Sequence, residues 1–215
     1  MSTIGSIPSA ISELAAHGVA YAPQIARAAA QHGLDPRLLA AVAAQETGGP
    51  GANGGRNILG DGGHGHGLFQ IDDRWHPFAR TGAAMNAGRN ADYAAGMLSG
   101  LLARYGGNVH RALSAYNAGS PTACGTVTTW QDGAKLGYAD SVMRHYADLG
   151  GSAVHEELQA ESPSEQASVN SLRAFSLQFP GLCPASMPPQ SNARPAPEPD
   201  FASIVNDSSN QNSGG

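Results

Sequence analysis

Residues 47–67, TGGPGANGGRNILGDGGHGHG, contain ten glycines. Glycine weakens a helix interior by roughly 1 kcal/mol relative to alanine, so no regular helix runs through this stretch. On both sides the sequence reads as helix, and the chain therefore cannot be a plain helical bundle. A helical body must be interrupted early by a lobe of turns and short extended pieces. In such a lobe glycine serves either a surface loop or a backbone that must turn tightly and approach a ligand.

The flanking helices are legible from local signals. Asp35-Pro36 opens one, with Asp35 placed to cap and Pro36 at the position where a missing N–H costs nothing. The run RLLAAVAAQE follows and ends before Gly48-Gly49-Pro50. Tyr93, Met97, Leu101 and Tyr105 recur every four residues; Val109, Ala112, Leu113 and Tyr116 follow a helical pattern, as do Tyr138, Val142, His145 and Leu149. Ile25, Ala28, Ala29 and His32 mark an earlier short helix.

Composition changes after Gly151. No Tyr or Trp follows Tyr146, and eight of the fourteen prolines lie at or after Pro163. Residues 1–150 carry ten acids and ten Lys or Arg, whereas 151–215 carry seven acids and two bases, which supplies the net charge of -5. The expected organisation is an N-terminal extension over 1–19, a helical domain over 20–150, and an acidic, proline-containing, partly disordered extension over 151–215. Within the last, Val154–Asn170 could hold a short helix, and Leu172–Phe179 could cover part of the core. No basic stripe speaks for nucleic-acid binding, and no apolar window approaches a membrane span. The start, MSTIGSIPSAISEL, lacks the pattern of a secretory signal. Cys124 and Cys183 could pair or remain separate.

Glu46 is the first candidate for chemistry. It follows Leu39 by seven residues and Val42 by four, on the apolar stripe of the helix that begins at Asp35. A carboxyl drawn toward the core holds its proton more tightly, as a general acid near neutral pH must. The plainer alternative is a solvated acid at a frayed helix end. Asp61 and Asp72 bracket GGHGHGLFQI and could supply the base that an inverting glycosidase needs, or could simply cap loop backbone. Gln70 sits in the compact Leu68–Ile71 segment as a sugar-binding amide or a satisfied core amide. Tyr116 and Asn117 end a helix before Gly119, as cleft residues or as packing and a cap. His64 and His66 alternate without a complete metal-ligand set, so neither metal nor organic cofactor is expected.

Together these segments resemble the lysozyme-like fold, specifically the branch of goose-type lysozymes and soluble lytic transglycosylases, over about residues 20–150. HGLDPRLLAAVAAQETGG is similar to the segment whose helix ends at the catalytic glutamate, here Glu46, followed by a small hydroxyl residue, here Thr47. GHGLFQID resembles the central Gly-Leu-Met-Gln-Ile/Val motif with Phe69 in place of Met, ALSAYNAG resembles Ala-Tyr-Asn-Ala-Gly, and KLGYADSVMRHY resembles the late segment opened by a tyrosine, here Tyr138. GDGGHGHGLFQIDDRWH is similar to goose-type lysozymes, in which two aspartates flank the central motif and a histidine follows four residues later; these positions fall on Asp61, Asp72 and His76.

The resemblance implies a mainly α, α+β lysozyme-like fold, with a catalytic cleft between a helical domain and a small irregular or β-hairpin lobe at 56–72. It implies hydrolysis of the β-1,4 bond from N-acetylmuramic acid to N-acetylglucosamine. Glu46 would be the acid and Asp61 or Asp72, the latter slightly preferred, would activate water. Gln70, His76, Tyr116, Asn117 and Tyr138 would bind substrate or hold the glutamate. The alternatives are a lytic transglycosylase giving 1,6-anhydromuramic ends, an inactive wall-binding module, or a structural virion component. The expected partner is bacterial peptidoglycan, met by a monomer in the periplasm or outside the cell. Delivery would use a virion, a specialised secretion machine docking the C-terminal extension, or a leader outside this sequence.

Overall fold

The computed structural model describes residues 6–152. Val154–Asn170, Leu172–Phe179, Cys183 and the rest of the acidic extension lie outside the described residues. Six helices form the body: α1 (Ile7–Ala16), α2 (Ala22–Gln31), α3 (Pro36–Ala43), α4 (Ala87–Arg104), α5 (Val109–Ala118) and α6 (Tyr138–Asp148). Between α3 and α4 lies the glycine-rich lobe, an antiparallel sheet in the order β1 (Ile58–Gly60), β2 (Gly65–Gly67), β3 (Ile71–Asp72). A second hairpin, β4 (Thr128–Thr129) and β5 (Lys135–Leu136), precedes α6. The mainly helical architecture with a minor β-lobe is the one expected for a lysozyme-like α+β fold.

Local chemistry starts and stops the helices as the sequence suggests. The Asp35 carboxylate accepts from Arg37 N at 2.8 Å, and Pro36 takes the first helical position. Asn108 caps α5 by accepting from Arg111 N at 3.0 Å, and Gly119 ends it in the left-handed conformation. α1 falls within the segment read as an N-terminal extension, yet its Leu14 is buried in the common core.

Leu39 and Val42 of α3, Ile25 of α2, Leu98 of α4, Leu113 of α5 and Val142 of α6 meet in that core with no exposed surface. α2 and α4 pack together through small residues, Ala26 and Ala29 against a helix carrying Ala91, Ala94 and Ala95. The lobe is fastened to this body by Asn90 of α4, which is fully buried. Its side chain accepts from Phe69 N at 2.8 Å and donates to His66 O at 2.9 Å. Gly67 permits this contact, because a Cβ there would lie 2.6 Å from the Asn90 amide and from Ala84 O. Leu68 and Phe69 then enter the core beside the helices.

Candidate active site

The α3 helix does not carry regular geometry as far as Glu46. After Ala43 the chain widens into a π-turn, Ala44–Gly48, closed by Gly49 N donating to Ala44 O at 2.9 Å. Such widened turns recur at functional sites because they re-aim side chains relative to the preceding helix. Thr47 holds the turn against the lobe. Its hydroxyl lies 3.2 Å from Ala43 O and 3.1 Å from Leu68 O, and accepts from Arg56 N at 2.7 Å. The Arg56 Nε–H adds a bond to Thr47 O at 3.0 Å. Gln45 reaches the other way and donates to Thr128 Oγ1 at 2.8 Å.

The Glu46 carboxyl is hemmed in by protein, and loss of water raises its pKa from 4.5 to about 7. One hydrogen bond opposes that rise: the Tyr138 hydroxyl donates to Glu46 Oε1 at 2.6 Å. Tyr138 is itself buried, at the first turn of α6, and its ring lies nearly parallel to that of Tyr116 with centroids 6.4 Å apart. The Tyr116 hydroxyl is buried without a hydrogen-bond partner among the described residues. Burial and the neighbouring Glu46 push both phenols well above their usual pKa, so both remain hydroxyls. The centre is therefore a carboxyl that keeps its proton up to about pH 7, held by one phenol and flanked by another.

The aspartates stand in a different environment. Asp61, in the left-handed conformation after β1, and Asp72, at the end of β3, share the guanidinium of Arg74. Arg74 Nε lies 2.9 and 3.0 Å from the two Asp72 oxygens, and Nη2 donates to Asp72 Oδ2 at 2.6 Å and to Asp61 Oδ2. This pairing holds the Asp72 carboxyl below the usual carboxylate range. Neither aspartate is hydrogen-bonded to Glu46 among the described residues; the Glu46 carboxyl bonds Tyr138. Asp61 and Asp72 are thus joined through Arg74, and Glu46 is joined to Tyr138, whose ring lies beside that of Tyr116.

The remaining candidates divide between cleft and scaffold. Gln70, also left-handed, donates its amide to Ile58 O at 3.1 Å and Gly67 O at 2.8 Å. Its oxygen lies over β1 and β2, where a Cβ on Gly60 or Gly65 would collide with it. Asn117 Oδ1 accepts from Thr126 N at 2.8 Å and so pins the loop after α5. His76 Nδ1 lies 3.1 Å from the Tyr93 hydroxyl. His64 and His66 both reach Asp73, at 2.8 and 3.3 Å, and no cluster suited to a metal ion occurs among the described residues. Sequence reasoning missed Arg74, Asp73 and Tyr93. Arg74 carried a usable signal, two residues beyond Asp72 in a turn; Tyr93 was read as a helix packing residue.

The sequence profile of the family described as Transglycosylase SLT domain matches residues 23–135. The chain belongs to that family. No curated protein matches it at the significance applied. The SLT domain acts on peptidoglycan as a lytic enzyme, and the match spans Glu46, the β-lobe and the Tyr116-Asn117 pair. It ends just before α6, so Tyr138, which bonds Glu46, lies beyond the matched residues.

Proposed function

We propose that the SLT domain is a lytic transglycosylase that works with a single acid–base residue. The carrying observation is the contrast between Glu46, enclosed and with a pKa near 7, and the two aspartates, both engaged by Arg74. Protonated Glu46 donates to the glycosidic oxygen between N-acetylmuramic acid and N-acetylglucosamine. The C1–O4 bond breaks, and the N-acetylglucosamine side leaves with the proton on its 4-hydroxyl. The muramyl ring carries oxocarbenium character, and the Glu46 carboxylate then takes the proton of that ring's own 6-hydroxyl. Attack of O6 on C1 closes a 1,6-anhydro ring and restores the acid, with no water consumed.

Tyr138 positions the carboxyl and stabilises its anion between the two proton transfers. Tyr116 stacks beside Tyr138, and its hydroxyl is buried without a hydrogen-bond partner among the described residues. Gln70 and Asn117 support the site through the backbone they hold. His76, with Tyr93 behind it, is assigned to the sugar-lining wall. With peptidoglycan as the proposed substrate, the proposed setting is the periplasm or the cell exterior.

Hydrolysis with inversion is the second reading, supported by the convergence of Asp61 and Asp72 on one point of the lobe. In that reading Arg74 would orient one carboxylate toward water. Digestion of purified peptidoglycan in oxygen-18 water separates the two. Unlabelled fragments lighter by one water than reducing muramic ends are expected. Labelled reducing ends would transfer the chemistry to the aspartates.

A further inference from the structure

The chain has two tryptophans, and their surroundings are opposite. Trp130 is 4% exposed, donates from Nε1 to Ser141 Oγ at 3.2 Å, and is covered by the Arg144 guanidinium 4.2 Å from its ring centroid. Trp75, in the turn after β3, is 66% exposed. Among the described residues its ring packs on no other ring and its indole N–H makes no hydrogen bond.

The backbone beneath Trp75 is nevertheless fixed from several sides. Asp72 O accepts from Trp75 N at 3.3 Å and from His76 N at 2.9 Å, while Asp72 Oδ1 accepts from Arg74 N at 2.8 Å. Arg80 binds the carbonyls of Asp73 and Arg74 at 2.7 and 3.2 Å. The Arg74 side chain is locked by Asp61 and Asp72. A large apolar ring left in water on so constrained a mount contributes nothing to the core but is preorganised to receive a flat partner.

The neighbours of Trp75 lead back to the acid. His76 meets Tyr93 edge-on, with centroids 5.8 Å apart. His76 Nδ1 also lies 3.1 Å from the Tyr93 hydroxyl, and Tyr116 stacks beside Tyr138, which holds Glu46. Trp75 thus directly precedes His76, whose ring meets Tyr93 of α4, and it shares its turn with Asp72 and Arg74. From this geometry we infer that Trp75 is the outer sugar platform of the cleft, stacking against the C–H face of a hexosamine ring remote from the bond being cut. The inference rests on the glycan-cleaving reading and extends it to the substrate: the enzyme grips strands several sugars long rather than the two sugars at the scissile bond.

The test uses the full chain and soluble, uncrosslinked glycan strands as the probe. In the non-turning Glu46→Gln variant, saturating strands should shift the emission of Trp75 to the blue and shield it from iodide, with a Trp75→Phe companion reporting Trp130 alone. In the active enzyme, Trp75→Ala should raise KM for these strands about three- to tenfold, the range of one aromatic contact. kcat should change less than twofold, and Trp75→Phe should recover most of the affinity. Unshielded Trp75 at saturation, an unchanged KM, or a loss borne by kcat would each overturn the assignment. So would shielding by phosphatidylglycerol vesicles but not by strands, which would mark a membrane contact. Wild-type product release is measured in parallel: absence of any glycan cleavage would sink the enzymatic reading itself, whereas cleavage indifferent to Trp75 sinks only the platform.

Discussion

Glu46 and the Asp61–Asp72 pair are the same functional group placed in opposite media. Around Glu46 the π-turn, Tyr138 and Tyr116 remove water and offer no cation, so the proton is held up to about pH 7. On the lobe, Arg74 supplies positive charge in a solvated setting, so Asp72 gives up its proton readily. Desolvation and ion pairing thus divide three carboxyls into an acid and a clasp.

The largest expected effect comes from removing the acid. Glu46→Gln should lower turnover at least about 100-fold, since general acid–base catalysis contributes roughly two to four decades. The same variant should gain stability in alkali. Because folding raises the Glu46 pKa from 4.5 to about 7, its contribution is fully present below pH 4.5 and is lost as pH rises through about 7. Denaturant melts at pH 4 and pH 8 should show the Gln variant gaining on wild type chiefly at the higher pH, with a ceiling of roughly 3 kcal/mol. An equal difference at both pH values would mean that Glu46 is not desolvated.

Tyr138→Phe comes next. The phenol favours the carboxylate, so its loss should drive the Glu46 pKa further up and move the alkaline limb of the rate profile to higher pH. Turnover at pH 6 should fall by about tenfold through lost positioning, equivalent to about 1.4 kcal/mol. An unmoved limb would show that the hydrogen bond does not act on the reacting proton.

The joint on which both regions depend is Asn90. Asn90→Ala strands Phe69 N and His66 O in the interior, and each unsatisfied group costs about 1–3 kcal/mol. Chemical denaturation should show a loss of about 2–4 kcal/mol. A loss below about 0.5 kcal/mol, within the usual range for surface substitutions, would separate the lobe energetically from α4.

The smallest effect is expected on the lobe. The double variant Asp61→Asn/Asp72→Asn should reduce turnover less than about threefold, because exposed ion pairs contribute about 0–1 kcal/mol. A fall of about two decades, the scale of a lost general base, would erase the proposed division of labour and restore the aspartates as the base.

Several parts of this arrangement were legible without coordinates. Asp35, Pro36 and Gly119 act through bonds and dihedrals within a few residues of themselves, so the helix boundaries they set could be read directly, whereas the Asn108 cap was not read. Glu46 could be singled out because its spacing from Leu39 and Val42 is local. Gln70 was less transparent. Its position in the motif was visible, but a left-handed backbone that folds its amide over β1 and β2 depends on the lobe being assembled.

What the sequence by itself determined is a helical body interrupted by a glycine-rich lobe, with one glutamate at the junction, since propensity, capping and periodicity are short-range effects. Only the tertiary structure decided which carboxyl would hold its proton. Tyr138 reaches Glu46 from 92 residues away, Arg74 draws together carboxylates from the turn after β1 and from β3, and Tyr146 anchors Asp35 across 111 residues at 2.7 Å. A pKa is set by the water excluded and the charges admitted around a group. Both depend on which distant segments arrive there.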